Sequence, residues 1–322
     1  MTAKLGVITN PGSGRNRRLL GRITGILAAA GDIPHEITQG PGDIPAALGR
    51  LAAQRVDVIG VNGGDGSVAL VLGALMGDAS PFPSPPLLCA LPGGTTNVTV
   101  GDVGSQTGLE QALLELLAWR AGRRVAKVLE RPVIGVRAKD GRALGCGLVF
   151  GAGAVVNGIE YWQAAVRSRG MRSEYSSGVA MIRTLWGMLR GHDGFAARLP
   201  LRVELPGQAG FSGEYRLLVI CALQRLFLGI DPFWGEGPGA LRLTAIEGDA
   251  RGLAAALPGI LLGRPARRIR SGSGYHSARF DAATLHFHGG YTLDGELHHV
   301  SEAESPITLS VAGTARFLRT AG

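Results

Sequence analysis

The chain has 322 residues, 45% of them hydrophobic, and 33 Lys and Arg against 25 Asp and Glu give a net charge of +8. Apolar content at this level supplies cores for two domains and excludes a disordered chain. Three cysteines without a CxxC pair exclude a disulfide framework, and no apolar run reaches the ~18–20 residues of a membrane span. The positive balance favours polyanions such as nucleotide phosphates, nucleic acid or an anionic membrane surface. The N-terminus enters a strand at once, without the zones of a signal peptide, so a cytoplasmic protein that can touch a membrane peripherally, at its inner face, is expected.

Lys4–Thr9 reads as the first strand. It runs into Asn10-Pro11-Gly12-Ser13-Gly14 and a basic amphipathic helix with Arg15, Arg17 and Arg18 at its start. His35–Thr38 is a short second strand, and Ile44–Gln54 a helix. The apolar run Val56–Asn62 is a buried strand that leads into Gly63-Gly64-Asp65-Gly66-Ser67, and a helix-compatible stretch follows to Met76. Glycine lets a ligand approach the main chain, and N–H groups at a helix start attract anions. A Walker loop places a lysine where Asp65 stands. A carboxylate beside a polyphosphate implies either an intervening Mg²⁺ or a proton-accepting role. A structural turn with Asp65 as an N-cap is the plain alternative. Leu87–Leu91 is a further buried strand, and it ends in Pro92-Gly93-Gly94-Thr95-Thr96-Asn97. This alternation is that of an α/β parallel sheet, whose ligands sit at the carboxyl ends of the strands, where all three turns fall.

These three turns, in this order and spacing, resemble the diacylglycerol kinase catalytic-domain superfamily, which includes bacterial lipid kinases and the sphingosine and ceramide kinases. In the second turn Ser67 stands where Thr is usual and keeps the hydroxyl. The third motif of that family continues from Asn into an acidic residue and, three positions later, an Arg. Here Val98-Thr99-Val100-Gly101 follows, and Asp102 is out of register. The resemblance implies an α/β N-terminal domain with an NAD-kinase-like parallel sheet, followed by a mostly β, sandwich-like C-terminal domain. The expected domains are 1–122 and 123–305, with a C-terminal strand, 306–322, returning to the first.

Leu109–Ala121 is an amphipathic helix, after which the pattern changes to strands: Arg124–Leu129, Val133–Ala138 and Ala143–Val149. Tyr161–Arg190 reads as a largely helical insert. Its Met-, Trp- and Arg-bearing part is either a core helix or an interfacial one. Leu253–Leu262 is apolar but too short to span a membrane. Arg264–Arg270 is the densest basic run. In the loop Asp231–Leu241, Pro238 stands where relatives carry a structural metal's Asp. Tyr291-Thr292-Leu293-Asp294-Gly295-Glu296 matches the family's Asp-Gly-Glu, and Ile307–Phe317 closes the chain as a strand.

The resemblance implies transfer of the ATP γ-phosphoryl group to a hydroxyl of diacylglycerol or a related lipid. Glu296 would be the base, and Asp65 and Asp294 would organise Mg²⁺ and the acceptor. Asn10, Thr38, Gly63, Gly64, Asp65, Gly66, Ser67, Thr95 and Asn97 would hold the nucleotide. A primary alcohol has a high pKa, so the carboxylate assists as the bond forms, and catalysis rests mostly on positioning and charge stabilisation. The expected partners are a lipid alcohol and an anionic membrane surface, not nucleic acid, with assembly as a homodimer left open. Phosphorylation of a soluble dinucleotide, as by NAD kinases, and a non-catalytic nucleotide or lipid binder are the alternatives.

Overall fold

The computed structural model describes residues 3–160, 198–226, 229–264 and 273–320. The helical insert read at 161–190 and residues 265–270 of the basic run lie outside them. The first of two units holds Met1–Arg131, Leu226–Leu228 and Gly313–Gly322; the second holds Pro132–Arg225 and Gly229–Ala312.

In the first unit, strand β1 (Leu5–Thr9) is buried along its whole length, as an apolar run flanked by two parallel neighbours requires. It pairs in parallel with β2 (His35–Ile37) and β3 (Val58–Gly63), and β3 pairs with β4 (Leu87–Pro92). The end of β15 (Ile307–Thr320) adds a further parallel neighbour through Phe317 opposite Leu88. The strand order is therefore β2-β1-β3-β4-β15.

Helices α1 (Asn16–Ala29), α2 (Ile44–Ala53), α3 (Asp65–Met76), α4 (Val98–Val103) and α5 (Leu109–Arg120) follow the strands. Leu5, Val7, Val58 and Leu91 of the sheet pack with Ile23 and Leu27 of α1 and with Leu109, Leu113 and Leu116 of α5 in one apolar cluster. Full burial of each such side chain contributes about 1.5–3 kcal/mol, which fixes the strands and hence the turns at their carboxyl ends. Helix α4 is a departure from the sequence reading, which assigned no helix to Val98–Gly101.

The second unit is mostly β, as expected. The two strands read at Arg124–Leu129 and Val133–Ala138 are one strand, β5 (Ala126–Arg137), and Pro132 does not interrupt it. Strands β6 (Ala143–Gly147), β7 (Val149–Gly153), β8 (Leu199–Glu204), β9 (Phe211–Cys221) and β10 (Leu241–Glu247) precede helix α6 (Leu253–Leu261). Strands β11 (Tyr275–Phe280), β12 (Ala282–His286), β13 (Gly289–Leu293) and β14 (Glu296–Val300) follow it. Antiparallel pairing runs β14-β13-β7-β9-β8-β12-β15, and β10 lies between β9 and β11. No helix among the described residues is long and apolar enough to cross a membrane.

Candidate active site

Parallel pairing brings the ends of β1, β3 and β4 level, and the turns that follow them converge. The Asn10 amide donates to Ser67 Oγ at 3.0 Å, which joins the first turn to the second. A Cβ on Gly14 would lie 2.5 Å from Thr95 Cγ2, and one on Gly94 would lie 2.5 Å from Gly64 Cα, so the third turn packs against the other two without room for a methyl group. Glycine is required here by close approach rather than by φ. The N-cap of α3, Gly64, offers no side chain, and the Ser67 N–H donates to Gly64 O at 3.0 Å, at the positive end of a 12-residue helix.

Asp65 does not cap its own helix. Its Oδ2 accepts the Val98 N–H at 3.0 Å and its Oδ1 accepts the Thr99 N–H at 2.8 Å. The second turn is thereby tied to the start of α4. Burial pushes the Asp65 pKa above the ordinary carboxylate value, and the two N–H groups act in the opposite direction. The Thr99 side chain and the Asp65 N–H also hydrogen-bond to the carboxylate and lower its pKa further.

Asn97 lies in the left-handed region at φ 51°, which Asn tolerates better than most residues. Its side chain closes the third turn: Oδ1 accepts the Gly94 N–H at 3.0 Å, and Nδ2 donates to Gly94 O at 2.8 Å. Thr38 is buried just past β2 and bonds to Thr9 O. A cleft of about 670 Å³ opens beside the third turn, lined by Arg15, Thr96, Asn97, Gln106, Thr107 and Gln111 among others.

Beneath the turns lies an amide pair that the sequence reading missed. Asn16 Nδ2 donates to Asn10 O at 2.7 Å and to Asn62 O at 3.1 Å. Asn62 Nδ2 donates to Thr9 Oγ1 at 3.2 Å. Both side chains are fully buried, and their Oδ1 atoms have no hydrogen-bond partner among the described residues. The available signal was Asn62 itself, a polar residue inside the apolar run of β3.

Asp294 and Glu296 belong to the second unit. Leu293 pairs with Glu296 across a two-residue loop, and both Asp294 (φ 50°) and Gly295 (φ 87°) are left-handed. That is the geometry of a type I′ hairpin, for which Asp-Gly is a favoured sequence. Asp294 Oδ2 accepts the Leu148 N–H, and its Oδ1 accepts the Val149 N–H, each at 2.9 Å. Glu296 is exposed, and its carboxylate has no hydrogen bond or ion pair among the described residues. Among the described residues, no group of three or more His, Cys, Asp or Glu is placed to hold a metal ion.

Residues 4–128 match the diacylglycerol kinase catalytic domain family. No curated sequence matches the chain. Among solved structures, a diacylglycerol kinase from Bacillus anthracis is similar at 18% identity and a TM-score of 0.60, over 97% of this chain and 96% of that one. Two further Bacillus anthracis structures are similar at 20% and 19% identity with TM-scores of 0.64 and 0.62, over the same shares of both chains. These likenesses place the fold.

Proposed function

We propose, from the match of residues 4–128 to the diacylglycerol kinase catalytic domain family, that the chain is a phosphotransferase whose acceptor is a lipid hydroxyl, that of diacylglycerol or a close relative, and whose donor is ATP. The observation that carries this reading is the convergence of three glycine turns on the uncapped start of α3, with Asp65 held at their centre by two amides.

The phosphates lie against the Gly63–Ser67 turn and the α3 start, whose positive end suits them. Mg²⁺, when bound with the nucleotide, neutralises phosphate charge. It needs only one or two carboxylates besides phosphates and waters; Asp65 would supply one, and Asp294 is given the same task by the resemblance alone. The acceptor oxygen forms its bond to the γ-phosphorus as the bond to the ADP oxygen breaks, and Glu296 takes the hydroxyl proton. Its exposed carboxylate, without a hydrogen bond among the described residues, supports that role. The net charge of +8 supports meeting the lipid at an anionic surface.

Radiolabelled ATP offered with diacylglycerol, a total lipid extract and NAD is the test. Label in a lipid, lost in Glu296→Gln with ATP binding intact, is the expected result. Label in NAD would overturn the lipid reading, and ATP binding with no transfer would identify a non-catalytic binder.

A further inference from the structure

We infer that Asp102 and Arg131 are positioning residues for Asp65, acting through helix α4; the inference rests on the kinase reading of Asp65. The helix is six residues long and reads Val98-Thr99-Val100-Gly101-Asp102-Val103. Four β-branched residues and a glycine form a poor helix, and so short a segment does not persist by itself. Side chains from distant parts of the chain fix it at both ends.

At its start stands Asp65, which receives the Val98 and Thr99 N–H groups. Near its end, Asp102 Oδ2 accepts from Arg131 Nε at 2.6 Å, in an ion pair whose side chains are 4% and 7% exposed. Arg131 Nη1 also donates to Glu130 O at 2.7 Å, which anchors the guanidinium to strand β5. Arg131 is the residue from which the chain leaves the first unit at Pro132. Thr99, Val100 and Val103 of the helix are buried.

A buried ion pair adds little net stability over a well-packed apolar pair, because desolvation offsets the attraction. Its effect here is directional. One charged pair holds α4 in one register, and that register sets the two amides that orient the Asp65 carboxylate. Asp102 stands in the stretch where the chain departs from the third motif of the family it resembles, and its partner Arg131 lies 29 residues away.

The test is the double variant Asp102→Leu/Arg131→Met, with Arg131→Lys beside it, measured by thermal melting, ATP titration, label transfer to diacylglycerol in mixed micelles, and amide hydrogen exchange. Expected for the double variant are a near-native melting temperature, an ATP KM within about threefold, kcat reduced about tenfold or more, and exchange of the Val98 and Thr99 amides accelerated about tenfold. Arg131→Lys, which keeps the charge and the fold but loses the Nε donor, should show a several-fold lower kcat. Native kcat, or unchanged protection of those two amides, in either folded variant would overturn the positioning role. Wild-type protein that labels no lipid would sink the lipid reading alone, since the exchange measurement needs no acceptor.

Discussion

Asp65 and Asp294, in different units, engage the main chain in the same way. Each presents its two carboxylate oxygens to two consecutive backbone N–H groups, those of Val98 and Thr99 for Asp65 and those of Leu148 and Val149 for Asp294. Both side chains are thus aimed by backbone, and a change of one atom has a defined effect. In Asp65→Asn the amide nitrogen cannot accept, so one of the two bonds is lost and an N–H faces an N–H. The variant is expected to lose about 1–2 kcal/mol of stability and more than about 99% of phosphoryl transfer. Calorimetry and label transfer check the two effects separately.

Gly147 offers an indirect route to Asp294. A Cβ at that position would lie 2.6 Å from Asp294 Oδ2 and 2.8 Å from Leu293 Cγ. Gly147→Ala should push the carboxylate off the Leu148 N–H and lower transfer activity at least tenfold, while ATP binding stays native. Full activity would show that the pose of Asp294 does not matter to the reaction.

Two glycines near the third turn should respond oppositely to alanine. On Gly93 a Cβ would collide with Asn62 Oδ1 and approach Asn16 Nδ2 and Gly63 N to 2.9 Å, so Gly93→Ala is expected to cost about 1–3 kcal/mol and weaken ATP binding. On Gly101, inside α4, a Cβ meets nothing within 4 Å. Gly101→Ala should stabilise by about 0.5–1 kcal/mol. Urea titration of both variants reads the sign directly.

Glu115, 2% exposed, accepts from Ser105, Gln111 and Thr320 and pairs with Arg124 at 3.4 Å. Burial pushes its pKa up, but the hydrogen bonds and the Arg124 charge prevail, and the net shift is downward. Glu115→Ala leaves two buried hydroxyl groups and a guanidinium without this acceptor, and a loss of about 2–3 kcal/mol is expected. Equilibrium denaturation measures it.

Glu304 sets an acid limit for the second unit. Hydrogen bonds from the Ser301 N–H and hydroxyl, and from Arg142, lower its pKa from 4.5 to about 2. A depressed carboxylate stabilises the fold fully above its unfolded pKa and loses that contribution as pH falls through its folded one. The melting-temperature difference between wild type and Glu304→Gln should therefore be present at pH 6, shrink below about pH 4.5 and vanish near pH 2. A difference that persists unchanged at pH 2 would rule out this linkage.

The sequence by itself determined that the early strands form a parallel sheet and that three glycine turns end them. Both are written in adjacent residues: buried strands such as β1 are continuous apolar runs, and close approach needs glycine. The roles of Asp65 and Asn97 were less legible. Asp65 could be read locally as the cap of its own helix, and only the folded chain decides that it serves α4, 33 residues further on. The α4 segment, β-branched and broken by glycine, carries no helix signal and is helical because distant side chains hold its ends. Arg131 and Gly147 gain their meaning the same way, through contacts 29 and 147 residues away in sequence. Propensity and periodicity report interactions within a few residues. The register of a weak helix and the aim of a carboxylate depend on partners that only tertiary packing brings within 3 Å.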